Sequence, residues 1–193
     1  MSEGSEDLRL FFAVPIPEGL REAVCQVQET LRRCGTSVKW VEPENLHFTL
    51  KFLGELPPSA LPELERVAGE VAARHATFAL TMRGCGAFPR PAEARAVWVA
   101  AAEGAQELTA LAEDLEKALA QAGLAAPERR PFKAHATIGR NRTPQHSKGL
   151  AAGIKQAAAT ELGTMAVDEF VLFKSVLTPA GPIYTVQKTF RLG

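Results

Sequence analysis

Cysteine is scarce: Cys25, Cys34 and Cys85 are the three in 193 residues, and no two form a CxxC pair. That excludes a disulfide framework and a cysteine zinc site, and it points to a reducing compartment. Net charge is absent, with 22 Lys+Arg against 22 Asp+Glu. A protein that coats nucleic acid through many phosphate contacts carries a basic excess. Any nucleic acid is therefore expected at a confined site. No apolar run approaches the roughly 18 residues of a membrane span. The start, Met1 to Asp7, is acidic and polar, unlike a signal or transit peptide. A cytoplasmic protein without membrane contact is expected. There is also no GxxxxGK[ST] loop and no carboxylate cluster at metal-ligand spacing. No cofactor, metal or nucleoside triphosphate is expected to serve it.

What is there reads as a folded α+β chain. Leu8–Val14 is an apolar strand closed by Pro15 and Pro17. Leu20, Ala23, Val24, Val27 and Leu31 predict a helix over Glu18–Cys34 that ends at Gly35. Two strands, Val38–Val41 and Leu46–Leu53, flank a Pro43-Glu-Asn turn. Helices are predicted over Ser59–His75 and over Glu107–Ala122, the latter capped by Gly123, with a weaker one near Gln145–Ala159. Strands are predicted over Phe78–Met82, Ala96–Ala100, Phe132–Ile138, Val167–Leu177 and Ile183–Leu192, with a Gly84/Gly86/Pro89/Pro91 loop after the first of these.

One short pattern occurs twice. Pro43-Glu-Asn-Leu-His47-Phe-Thr49-Leu stands in the first third, and Pro131-Phe-Lys-Ala-His135-Ala-Thr137-Ile in the second half. Each has Pro four residues before His, Thr two after it and an aliphatic residue next. In a strand, residues i and i+2 share a face. His47 and Thr49 should therefore project together, as should His135 and Thr137. Two such strands on facing lobes would bring two imidazoles and two hydroxyls to one cleft. Imidazole titrates near neutral pH, so one can take a proton from water while the other gives one to a leaving oxygen. Threonine hydroxyls can hold phosphate oxygens. The set suits phosphoryl chemistry without metal. A single HxT is usually only a hydrogen-bonded strand histidine; the matched pair is what favours chemistry.

At these residues the chain resembles the 2H phosphoesterases, whose paired HxTx motifs His47-Phe-Thr49-Leu and His135-Ala-Thr137-Ile match. Val38-Lys-Trp-Val-Glu-Pro-Glu-Asn-Leu-His-Phe-Thr-Leu-Lys-Phe-Leu-Gly54 is similar to the first-motif region of the RNA 2′,3′-cyclic phosphodiesterase branch, historically called 2′-5′ RNA ligases. Arg9-Leu-Phe-Phe-Ala13, Arg130 to Arg140 and Phe170 to Tyr184 resemble its other segments. Ala134 departs from the proline often found before the second histidine. The resemblance implies a bilobal, pseudo-twofold domain over 1–193, with 1–7 a disordered tail. It would hold two mostly antiparallel sheets flanked by helices around a central cleft. The implied activity is metal-independent hydrolysis of an RNA 2′,3′-cyclic phosphate end to a 2′-phosphate. His47 would be the general acid and His135 the general base, with Thr49 and Thr137 on the phosphate oxygens. The alternatives are 2′-5′ ligation by the same site in reverse, action on small cyclic nucleotides, or a nucleotide-binding module without turnover.

Six basic residues and no acidic one fall between Arg129 and Lys148. They suggest a local positive field for an RNA end, with Arg130 and Arg140 as phosphate contacts. The odd offset of Arg140 from His135 places it on the opposite strand face unless a bulge at Gly139 re-aims it. Lys51, four residues past His47, should share the histidine face, where it is either a rim lysine, the slightly favoured reading, or a substrate contact. For Trp40, Trp98, Phe132 and Tyr184 core packing is favoured over stacking on a base; Tyr184, after a Gly-Pro turn, is the first exception and the one named for substrate. His75 and His146 are expected to be plain surface residues, and a monomer is the default.

Overall fold

A computed structural model describes residues 6–34, 38–142 and 148–193. Most of the expected tail, Gly35 and His146 lie outside the described residues. Nine strands and four α-helices are described: β1 (Leu8–Pro15), α1 (Glu18–Arg32), β2 (Val38–Trp40), β3 (His47–Leu56), α2 (Leu61–Ala72), β4 (Phe78–Phe88), β5 (Ala96–Ala101), α3 (Ala105–Gln121), β6 (His135–Asn141), α4 (Lys148–Gln156), β7 (Glu161–Val167), β8 (Glu169–Leu177) and β9 (Pro182–Arg191).

All pairings between these strands are antiparallel, in the order β7-β4-β5-β6-β3-β1-β8-β9, with β2 beside β6. The halves β6-β5-β4-β7 and β3-β1-β8-β9 meet at one bridge, Phe48 opposite Ala136. The two expected sheets are thus halves of one sheet, continuous only at that seam. The pseudo-twofold is visible in connectivity: β1–α1–β3 and β5–α3–β6 are equivalent strand–helix–strand units, each ending on a histidine strand. Two of the helices, α1 and α3, are exchanged between halves. α1 packs on β6 and β7, whereas α3 packs on β3 and α2 on β9. Each half of the sheet is thus covered in part by a helix that begins in the other.

Apolar periodicity accounts for the helices. Val24, Val27 and Leu31 of α1, Leu64, Val67 and Val71 of α2, and Leu108, Leu111, Leu115 and Leu119 of α3 are buried. They meet Phe12, Phe48 and Phe170 from the sheet, all fully buried. Each such side chain contributes roughly 1.5–3 kcal/mol by leaving water. Gly123, at φ +70°, ends α3 as expected, and Leu124 N–H returns to the Leu119 carbonyl.

Four expectations are corrected. The Gly84/Gly86 loop is instead the second half of β4, where Cys85 to Phe88 pair with β5. The glycines that suggested a loop admit close neighbours: a Cβ on Gly86 would lie 2.2 Å from the Trp98 ring. The run from Val167 is split, because the chain reverses at Asp168 between β7 and β8. β7 itself was missed; its alternation of Leu162, Met165 and Val167 inward is interrupted by Gly163 at φ +118°. His75 is no plain surface residue. Its Nε2 lies 3.0 Å from Asp114, which also receives Arg74, and together they tie α2 to α3.

Candidate active site

The seam strands position the duplicated motif. Phe48 and Ala136 are both fully buried on the helix-covered side. Pleating therefore turns His47, Thr49, His135 and Thr137 to the other face. The antiparallel bridge sets His47 across from Thr137 and Thr49 across from His135. All four side chains line one cleft of about 860 Å³.

The two imidazoles are held alike. Nδ1 of His47 lies 2.7 Å from the Asn45 carbonyl oxygen, and Nδ1 of His135 lies 2.6 Å from that of Lys133. A carbonyl only accepts, so Nδ1 carries the hydrogen in both rings and Nε2 is the nitrogen left for the cleft. Burial lowers the pKa of His47 below its ordinary 6.5; the bond to Asn45 opposes this, and the Arg140 charge adds to it. His135 is lowered for the same reasons, with Lys133 contributing a further positive charge. Each ring also rests on aromatics. Phe11 and Tyr184 lie 5.1 and 5.5 Å from His47, and Phe88 and Trp98 lie 4.9 and 6.2 Å from His135, between ring centroids.

Two β-bulges decide what joins the histidines. In β6, Thr137 pairs with Trp98 and Gly139 with Val97, so Ile138 is an extra residue. The bulge brings Arg140 onto the histidine face, where it lines the cleft. The extra residue lies one position before the expected Gly139. In β3, Thr49 pairs with Ala13 and Lys51 with Phe12, so Leu50 is extra. This bulge acts the opposite way. It removes Lys51 from the histidine face and puts Phe52 there instead. Lys51 is only 4% exposed at the cleft edge, and its Nζ meets the Ala126 carbonyl at 2.9 Å, Glu116 at 2.8 Å and Glu128 at 3.5 Å. The expectation that it shares the His47 face is therefore wrong: the alternation argument fails at the extra residue.

Arg130 is exposed on the cleft rim with Lys133, whereas Arg129, Arg142 and Lys148 do not line it. Tyr184 is half-buried and borders the cleft; burial raises its pKa. Trp40 and Phe132 line the cleft while packing on the core. Trp98 supports His135 from beneath. Residues missed in the sequence are Phe11, Phe52, Phe88 and Asn45. Phe52 is 55% exposed and its ring lies 5.8 Å from that of Phe11. Asn45 supplies the His47 carbonyl partner, and its side-chain amide donates to Pro182, tying the turn before Tyr184 to the first motif. Among the described residues no group of three His, Cys, Asp or Glu is arranged to hold a metal ion, and no helix is long and apolar enough to cross a membrane.

The chain is similar to known proteins over nearly its whole length. Residues 17–178 match the family described as the 2′-5′ RNA ligase superfamily. A Methanothermobacter thermautotrophicus protein named RNA 2′,3′-cyclic phosphodiesterase is 40% identical over 185 residues, 96% of this chain and 99% of the relative. The crystal structure of TT0787 of Thermus thermophilus superposes with a TM-score of 0.79 at 33% identity, covering 96% of this chain and 98% of that one. E. coli LigT complexed with 3′-AMP gives a TM-score of 0.73 at 28% identity over 97% of this chain and 99% of that one.

Proposed function

The chain belongs to the 2′-5′ RNA ligase superfamily, and from that premise we propose that it is an RNA 2′,3′-cyclic phosphodiesterase. A terminal 2′,3′-cyclic phosphate enters the cleft, water attacks phosphorus, the P–O3′ bond breaks, and a 2′-phosphate remains. The observation that carries this reading is the matched pair of imidazoles, each with Nδ1 committed to a backbone carbonyl and Nε2 left to the cleft. His135, the less deeply buried ring, takes the proton from water, and His47 gives one to O3′. One histidine gains the proton of water as the other gives one to O3′, so neither the nucleophile nor the leaving group calls for a metal, and proton exchange with solvent resets the pair.

Thr49 and Thr137 donate to the non-bridging oxygens, each beside the opposite motif's histidine. Arg140 supports the phosphate charge and Arg130 meets it from the rim. Tyr184 and Phe52 offer aromatic faces to a base. Every residue of the site comes from one chain, so a monomer suffices, and the three free cysteines fit the reducing cytoplasm.

The test is direct. An RNA oligomer ending in a 2′,3′-cyclic phosphate, incubated with the protein in EDTA, should give a 2′-phosphate end. A 3′-phosphate would reverse the substrate orientation, strict metal dependence would remove the two-histidine mechanism, and binding without turnover would leave a nucleotide-binding module.

A further inference from the structure

Lys51 is the one buried lysine among the described residues, and the proposed chemistry does not use it. A buried ammonium is costly unless its donors are all engaged. Here three acceptors converge on it from two other places in the chain. Glu116 lies on α3, while the Ala126 carbonyl and Glu128 lie on the irregular segment that follows α3. The Glu128 backbone N–H also donates to Glu116, closing the ring of contacts.

That segment runs from the end of α3 to His135 without regular structure. It is pinned again at its far end, where Ala101 N–H donates to the Ala134 carbonyl at 3.1 Å. Between these two anchors stands exposed Arg130, on the cleft rim. The β3 bulge that removes Lys51 from the histidine face is what lets its ammonium reach this segment. The motif strand therefore carries both His47 and the tether of the opposite rim.

We propose that Lys51 is a positioning residue, clamping the 126–128 segment to β3 and α3 and thereby holding Arg130 over the bound phosphate. This rests on the cyclic-phosphate reading and adds to it the means by which the rim arginine is fixed. The clamp also neutralises Glu128, which borders the cleft, so position and charge screening must be separated.

The experiment is a double-mutant cycle on the full chain: Lys51→Met, Arg130→Ala and the pair. It is read as KM and kcat on the cyclic-phosphate oligomer and as Kd for inorganic phosphate. Loss of a charge-assisted contact predicts that Lys51→Met raises KM and phosphate Kd about tenfold, with little change in kcat. Lys51→Arg should restore most of the loss. In the Arg130→Ala background Lys51→Met should cost almost nothing more. Glu128→Gln, at an exposed position, guards against a folding defect and separates the two effects. Position predicts weaker phosphate binding in this variant, whereas charge screening predicts tighter binding. An undiminished Lys51→Met effect without Arg130, a loss confined to kcat, no effect, or tighter binding by Glu128→Gln would each overturn the clamp. Absence of turnover in the unmodified protein would count against the phosphodiesterase reading instead, and phosphate Kd would still decide the clamp.

Discussion

Among the described residues, Phe48 and Ala136 are the one pair through which the two halves of the sheet join, and both side chains are fully buried. The bridge therefore fixes the site from behind. It sets each histidine opposite the other motif's threonine and turns all four away from the core. A one-residue slip of either strand at this seam would turn that strand's imidazole into the interior.

Removing either imidazole should stop the reaction without unfolding the chain. His47→Ala and His135→Ala are each expected to lower the rate at least about 100-fold, as for loss of a general acid or base. Circular dichroism and thermal melts should stay native-like, because neither ring belongs to the buried core. Near-normal turnover by either variant would reject its assigned role.

The pH profile should be bell-shaped and displaced to acid. Burial and the Arg140 charge lower both histidines from their ordinary 6.5. The productive form keeps one ring protonated and the other neutral, so its population peaks between two values that both lie below 6.5. In kcat/KM the maximum is expected on the acid side of about pH 6.5, with activity falling as pH rises and the acid loses its proton. Arg140→Gln removes one lowering charge and should shift the maximum upward. A maximum above pH 7 in the unmodified protein, or no shift in the variant, would contradict this electrostatic account.

The histidine–threonine faces were legible in the sequence because alternation holds over the three residues from His47 to Thr49 and from His135 to Thr137. Beyond that range it fails. Leu50 and Ile138 are unpaired bulge residues with ordinary strand-forming side chains, and nothing in their identity announces an extra residue. Lys51 and Phe52 exchange faces for that reason, and Arg140 arrives where alternation forbids it. The helices were legible because their apolar periodicity is long. The later half of β4 was not, because Gly86 makes room for the Trp98 ring and Gly84 for the Ala158 carbonyl, rather than for a turn.

That ring gives a stability prediction. Gly86 faces Trp98, and an added methyl would lie 2.2 Å from the indole. The ring cannot retreat freely, since it packs on Phe88 at 5.2 Å and supports His135. Gly86→Ala should therefore destabilise by about 1–3 kcal/mol, the usual cost of overpacking. Chemical denaturation should show the loss, and His135-dependent turnover should fall with it. An unchanged midpoint would mean that the indole has room to move.

Gln28 is the last link between core and chemistry. It is 4% exposed on α1, and its side-chain amide donates to the Val41 carbonyl at 2.8 Å and to the Ile138 carbonyl at 3.0 Å. Ile138 is the bulge residue, and its carbonyl also receives Val41 N–H. Gln28 thus stabilises the irregularity that brings Arg140 into the cleft. Gln28→Leu keeps the volume but takes the side-chain donor from the half-buried Val41 carbonyl and from the buried Ile138 carbonyl, at a cost of about 1–3 kcal/mol. For a chain of this size that corresponds to a fall in Tm of roughly 2–12 °C. If the amide also holds the bulge, phosphate binding should weaken in the same variant at temperatures where it remains folded. A lowered Tm with unaltered phosphate Kd would confine Gln28 to stability and leave the bulge to the strand pairing alone.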